Sequence, residues 1–256
     1  PQIPAPFLVP IDIALVALSS IRIEIADLFG PLFPSAFYGI MKLVSFTFGF
    51  LLSSLVFAGV EGPVGIFDES CDVGNPKLHG TSSYDDKTST YRIRGAGANM
   101  WAAQDQFQFS YKKLKGDFIL RAEIRFLGES DQNHRKGGWI IRDSLEDDSK
   151  HVNASLHAGD GLIALQFRKT KGGITESVVS PNVGPNFVQL ERRGDRYLMS
   201  SSTLGSPLKT VEVSGVSLEN EVYVGLFVCS HAEDEMETAV FQNVNIVHPG
   251  AFISAE

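Results

Sequence analysis

The sequence predicts an all-β fold, a two-sheet antiparallel sandwich or jelly roll, on three observations. Beyond the apolar N-terminal quarter, no window repeats its apolar residues with the 3.6-residue period of a helix. Short runs of alternating polarity recur instead, separated by Gly, Pro, Asn and Asp. The third observation is a hairpin in which two alternating runs, His151 to His157 and Leu162 to Arg168, flank Ala158-Gly-Asp-Gly161. With that loop, Asn153 faces Gln166 and His151 faces Arg168. Side chains alternate along a strand, so Val152, Ala154 and Leu156 then share one face with Ile163, Leu165 and Phe167. The other face is a ladder of His, Asn, Ser, Gln and Arg.

The chain divides into five segments. Residues 1–40 are apolar and Pro-rich and precede a plausible start at Met41, so they read as upstream sequence outside the working protein. Met41-Lys42 and the apolar run to Ala58 read as a secretory signal peptide (41–58). The rival, a membrane anchor, needs ~20 apolar residues, more than this run supplies. Residues 59–65 form a linker, 66–248 the sandwich domain, and 249–256 a C-terminal tail. The expected location is therefore outside the cytoplasm, in the periplasm or beyond. Two of the 22 basic and three of the 30 acidic residues fall in 1–58, which leaves the remainder at −7. An acidic domain without a basic cluster excludes nucleic acid and anionic membrane as expected partners.

In chain order, strands are expected at Ile66 to Asp72, Thr90 to Arg94, Phe107 to Tyr111 and Asp117 to Leu127. The last is the longest clean alternation, with Phe118, Leu120, Ala122, Ile124 and Phe126 on one side. Gly138 to Arg142 resumes the sheet and places Arg142 beside the polar ladder. After the hairpin come strands near 174–179, 187–192, 196–202, 208–213, 222–229 and 238–247. Arg193-Gly-Asp195 is a hairpin turn rather than an adhesion signal. Cys71 and Cys229 either form a disulfide or remain as buried thiols.

Catalytic signatures are weak. His151 and His157 share a face but lie about 20 Å apart along a strand, so they cannot share an ion. A transition-metal site would need His157 with Asp160, His134 or His231, and no spacing demands it; no metal ligand and no cofactor is assigned, and a structural calcium at a loop, through Asp160, Asp131 or backbone carbonyls, is favoured over a transition metal though no loop motif marks it. The Glu-x-Asp-x-x-Glu pattern of laminarinase-type sandwich glycosidases is met only as Glu129-Ser-Asp131-Gln-Asn-His134. There is no Gly-x-Ser-x-Gly elbow and no Cys-His constellation, so no catalytic residue is assigned. The polar ladder instead suits vicinal hydroxyls or carboxylates of a glycan or other polar small ligand. Arg142, Asn153, His157, Gln166 and Arg168 are the candidate ligand-binding residues, with Trp101, His134 and His231 at the rim. Trp101 reads either as a stacking ring or as a plug of the sandwich edge. The same ladder also fits a satisfied internal network.

Several motifs in order carry a resemblance: Asp72-Val-Gly-Asn-Pro, Gly95-x-Gly-x-Asn-Met-Trp101, Asp105-x-Phe-x-Phe109 and Lys115-Gly-Asp-Phe-Ile119. They continue through His134-Arg-Lys-x-Gly-Trp-x-x-Arg142, His151-Val-Asn-Ala, His157-x-Gly-Asp-Gly161, Leu165-Gln-Phe-Arg168 and Gly225-Leu-Phe-Val-Cys-Ser-His231. From Ile66 to Val247 the chain resembles the concanavalin-A-like jelly-roll domain labelled regulation-of-enolase-like, in the form found ahead of TolB-like β-propellers in exported bacterial proteins. The resemblance implies a two-sheet jelly roll, export, a carbohydrate-associated or accessory role, and a β-propeller partner domain in relatives. This sequence ends at Glu256, about where such relatives enter the propeller, so that partner is not carried over. The leading expectation is a secreted, non-catalytic glycan-binding or accessory domain. A carbohydrate-active enzyme of the hydrolase or lyase class, or a protein-interaction domain, are the alternatives.

Overall fold

The computed structural model describes residues 62–249 apart from 185, 204 and 205. The expected signal peptide 41–58, residues 1–40 and the tail beyond Pro249 lie outside the described residues. Among the described residues the chain is all-β. Its strands are β1 (Glu69–Val73), β2 (Thr81–Asp85), β3 (Thr90–Gly97), β4 (Phe107–Lys115), β5 (Phe118–Phe126), β6 (Lys136–Arg142) and β7 (His151–His157). They continue as β8 (Ile163–Arg168), β9 (Glu176–Val179), β10 (Phe187–Arg193), β11 (Arg196–Ser202), β12 (Lys209–Val213), β13 (Glu221–Cys229) and β14 (Ala232–Val247). They form two seven-stranded antiparallel sheets, β1-β4-β13-β6-β7-β8-β9 and β12-β11-β10-β5-β14-β3-β2.

Period-2 patterning decides which side chains meet between the sheets. Phe118, Leu120, Ala122 and Ile124 of β5 pack with Trp139 and Ile141 of β6, and with Val152, Ala154 and Leu156 of β7. The register of the β7–β8 hairpin is the one the polarity pattern selects: His151 opposite Arg168, Asn153 opposite Gln166, Ser155 opposite Ala164. A shift by one residue would turn Val152, Leu165 and Phe167 out of this core, and their burial makes such a slip costly.

Several strand bounds differ from expectation, β1 starting at Glu69 rather than Ile66 and β4 running on to Lys115, and two differences have a clear cause. β2, Thr-Ser-Ser-Tyr-Asp, is an edge strand almost wholly exposed, so no alternation marks it and only pairing with β3 makes it a strand. β14 starts six residues before the expected 238, running back through the acidic Glu233 to Glu235. A register irregularity between Ala232 and Glu237 lets it follow β3 there.

The centre of the first sheet is buried on both faces. Every residue of β6, β7 and β8 is buried, polar ones included. On its far side a second apolar cluster gathers Val73, Met100, Phe107, Phe109, Tyr111, Ile140 and Phe227 with Cys71 and Cys229. Both cysteines are free thiols. Three loops close over the remainder of that side and are stitched to one another. Asp105 N donates to Asp147 O at 2.9 Å, Thr175 N to Trp101 O at 3.1 Å, and Gly172 N to Asp148 O at 2.8 Å. The polar ladder therefore lies under loops 98–106, 143–150 and 170–175, which decides a question that the sequence left open.

Candidate functional site: the covered polar face

At one end of the ladder the arginines are structural. Asp105, from the loop before β4, is fully buried, as are Arg142, His151 and Arg168. Arg168 grips Asp105 with both terminal nitrogens, at 2.7 Å to Oδ1 and 2.9 Å to Oδ2. It also donates to the carbonyls of Ala102 at 2.6 Å and Ser149 at 3.1 Å. Arg142 reaches Asp105 Oδ2 at 3.4 Å and the carbonyl of Glu146. The cluster thus pins all three covering loops to the sheet, the arrangement a buried charge needs. Burial pushes the Asp105 carboxyl up and the Arg142 guanidinium down to about 10, the opposite charge pulling each back. His151 Nδ1 stands 3.6 Å from Asp105 Oδ2. Its burial, with Arg168 and Arg142 beside it, holds its pKa well below 6.5, so it is neutral.

Arg142 and Arg168, expected to meet a ligand, are instead fully buried, with Arg142 Nη2 and both terminal nitrogens of Arg168 bonded inside the protein, while Arg142 Nε and Nη1 and Arg168 Nε have no partner among the described residues. Asp105 did not figure among the candidates, although it stands in the Asp-x-Phe-x-Phe motif. Two buried arginines on one sheet face need a carboxylate, and that requirement was the signal for it.

The middle of the ladder is different. Asn153 Oδ1 and Nδ2, Ser155 Oγ and Gln166 Oε1 are buried with no hydrogen-bond partner, and so is His157 Nε2. The rung through Ser155 reads Phe227, Gly138, Ser155, Ala164, Val179 across five strands, so its three central residues are small. Gly138 is obligatory for a second reason: its φ is +153°, and a Cβ there would meet Ala154 O at 1.9 Å.

The histidine end is partly open. Two loops clasp there: Ala158 N donates to Arg135 O at 2.8 Å and Asp160 N to Asn133 O at 3.2 Å. A side chain on Gly159 would strike the Asn133 backbone at 2.4 Å, so only glycine allows this approach. A buried ion pair, Arg135 Nε to Glu237 Oε2 at 2.7 Å, anchors the 129–135 loop to β14. The clasp brings His134, His157 and Asp160 together, a combination the sequence reading weighed without assigning. Nδ1 of His134 and Nδ1 of His157 lie 3.4 Å apart. Each lies 3.3 Å from an oxygen of Asp160. The His231 ring centre is 5.3 Å from that of His134, and His231 adopts φ 60°, uncommon for a residue with a side chain.

Lys136 is buried behind them, its Nζ bonded to Asn99 Oδ1 at 3.1 Å; neither residue was among the candidates. Burial lowers the Lys136 pKa. Burial, then Lys136, brings His157 down to about 4, and the same two causes lower His231. Trp101 is 42% exposed on the 98–106 loop; it does not plug the sandwich edge.

Among solved structures, a functionally unknown protein from Saccharomyces cerevisiae superposes with a TM-score of 0.54 at 13% identity, over 70% of this chain and 96% of that one. A GH43 protein from Bacillus licheniformis overlays with a TM-score of 0.50 at 12% identity, over 74% of this chain and 38% of that one. The carbohydrate binding module CBM66 from Bacillus subtilis matches at 20% identity over 75% of this chain and 99% of that module, with a TM-score of 0.43. What the first two likenesses establish is the two-sheet β-sandwich fold. No family model matches the chain. No curated protein sequence matches it either.

Proposed function

We propose that this chain is a carbohydrate-associated β-sandwich of the regulation-of-enolase-like kind, exported, which holds a polyhydroxylated ligand at the middle and histidine end of its covered face. The carrying observation is the unpartnered row of Asn153, Ser155, His157 and Gln166. Each unsatisfied buried group costs ~1–3 kcal/mol. Five such atoms together would cost about as much as the whole stability of a domain, ~5–15 kcal/mol. Water or a ligand must therefore fill the row, and amide and hydroxyl groups with fixed geometry match sugar hydroxyls. Entry is from the histidine rim, and Trp101, whose carbonyl accepts from Thr175 N beside Arg168, offers an exposed ring farther along the covering loop. Arg142 and Arg168 hold the covering loops and do not touch the ligand.

The test is a glycan array followed by calorimetric titration of wild type and Asn153→Ala. A ligand bound by the wild type and weakened about 10-fold or more in the variant supports the reading, since a donor or acceptor lost from a buried site costs ~1–3 kcal/mol. No binding to any glycan, or equal binding by both proteins, sinks it.

One observation favours a second reading, a carbohydrate-active enzyme of the lyase class. His157 is a neutral base with a pKa of about 4, beside the carboxylate of Asp160 and a buried Lys136. A base that removes the proton α to a uronate carboxylate, with a cation near that carboxylate, is what β-elimination requires. Glycoside hydrolysis fits less well. Asp105 and Asp160 contact opposite ends of β7, about 20 Å apart by strand rise, against the ~5–9.5 Å a hydrolase needs. Formation of an ultraviolet-absorbing unsaturated product from uronate polymers, lost in His157→Gln, would decide for the lyase.

A further inference from the structure

The three contacts among His134, His157 and Asp160 share one property. At 3.4, 3.3 and 3.3 Å, all exceed the 2.7–3.2 Å range of good N–H···O hydrogen bonds. A hydrogen-bonded triad would shorten at least two of these edges. The carboxylate turns one oxygen to each imidazole, Oδ2 to His134 and Oδ1 to His157, and an ion shared by the two nitrogens and the carboxylate accounts for this spacing. Four ligand atoms held about 2.05 Å from a tetrahedral ion stand ~3.3 Å from one another, from the bond lengths of zinc to imidazole nitrogen and carboxylate oxygen. One ligand atom from each of the three residues also falls within 4.8 Å of the other two.

The geometry points to a divalent transition-metal site at the open end of the covered face, with His134 Nδ1, His157 Nδ1 and Asp160 as its protein ligands. Two imidazoles and one carboxylate suit zinc, cobalt, nickel or copper, and two nitrogens in three argue against calcium. The ligands are preorganised. His157 is fixed by β7, His134 by the Arg135–Glu237 anchor one residue on, and Asp160 by Leu162 N donating to its Oδ1 at 3.0 Å. His157 is 8% exposed, and its Nε2 is buried without a partner. A histidine so buried that turns its other ring nitrogen to a shared focus of donors needs something at that focus. Access is present, since the side chains of His134 and Asp160 are 55% and 32% exposed. His231, its ring centre 5.3 Å from that of His134 and its backbone in a conformation seldom adopted by a non-glycine residue, or a solvent molecule, completes the set. The one opposing charge is the buried Lys136, which the carboxylate of Asp160 offsets.

This inference does not rest on the glycan reading, because the metal is measured alone. The full chain, stripped with chelator, is titrated with Zn²⁺ in competition with a chromophoric chelator, and with Co²⁺ by visible absorption. One equivalent of Zn²⁺ is expected, with Co²⁺ giving the intense bands of a tetrahedral ion. His134→Ala and Asp160→Asn each weaken Zn²⁺ binding about 100-fold and abolish those bands, losing a ligand being at least as costly as the 10–100-fold of an outer-shell change. Both positions are partly exposed, and far-ultraviolet circular dichroism confirms that the variants are folded. His79→Ala, an exposed histidine bonded to Asp72, leaves the titration unchanged. The proposal is overturned if wild type binds no Zn²⁺ below millimolar, if His134→Ala binds as tightly as wild type, or if the affinity follows His79.

Discussion

Replacing Asp105 by alanine removes the carboxylate paired with Arg142 and Arg168 and facing His151. Arg168 keeps its bonds to Ala102 O, Ser149 O and Thr175 Oγ1, but two fully buried guanidinium groups lose their paired counter-charge, leaving only the more distant Asp147. Removing one partner of a buried pair typically costs 3–5 kcal/mol, and two arginines depend on this one. For a domain of this size each kcal/mol is worth ~2–4 °C in midpoint, so thermal unfolding followed by circular dichroism should move down by ~6–20 °C. Urea unfolding should show a matching loss in free energy. Most of the penalty belongs to stranded charge, so the double variant Asp105→Ala, Arg168→Met should recover part of it. A loss for Asp105→Ala below ~1 kcal/mol would refute the reasoning, because it would mean that water reaches the cluster. A double variant no better than additive would refute the stranded-charge account even if the single loss were large.

The neutral, buried His151 makes stability pH-dependent. Its folded pKa lies well below 6.5, so below pH 6.5 the unfolded chain takes up a proton that the fold refuses, and stability falls with falling pH by ~1.4 kcal/mol per unit. Asp105, with its pKa raised by burial, opposes this at the acid end, where the fold takes up its proton first. His151→Leu should flatten the urea-derived slope by about one such increment; an unchanged slope would contradict the assignment. Gly138→Ala should cost at least ~2 kcal/mol from strained φ and the clash with Ala154 O, read by urea unfolding. Cys71 and Cys229 should resist alkylation in the native protein and both react in denaturant, as burial raises the Cys71 thiol to about 11 and the Cys229 thiol as well. Rapid native labelling counted by mass spectrometry would contradict the burial.

Local pattern was sufficient for the sandwich. A period of two makes the face of Val152, Leu165 and Phe167 unambiguous, and with it the register that sets His151 opposite Arg168 and Asn153 opposite Gln166. It also brought Arg142 to the same face. What lies above that face was illegible, because the covering loops come from residues 98–106, 143–150 and 170–175, and no periodicity records where a loop folds. Asp105 is an ordinary loop aspartate until Arg142 and Arg168 meet it, and Thr81–Asp85 is a strand only because β3 offers it an edge. Strand spacing sets His151 and His157 about 20 Å apart, yet it could not show that a backbone approach at Gly159 carries Asp160 to His134. Faces are determined by nearest neighbours along the chain, which a sequence displays. Closure of a site depends on contacts between residues tens of positions apart, and only the folded chain decides those.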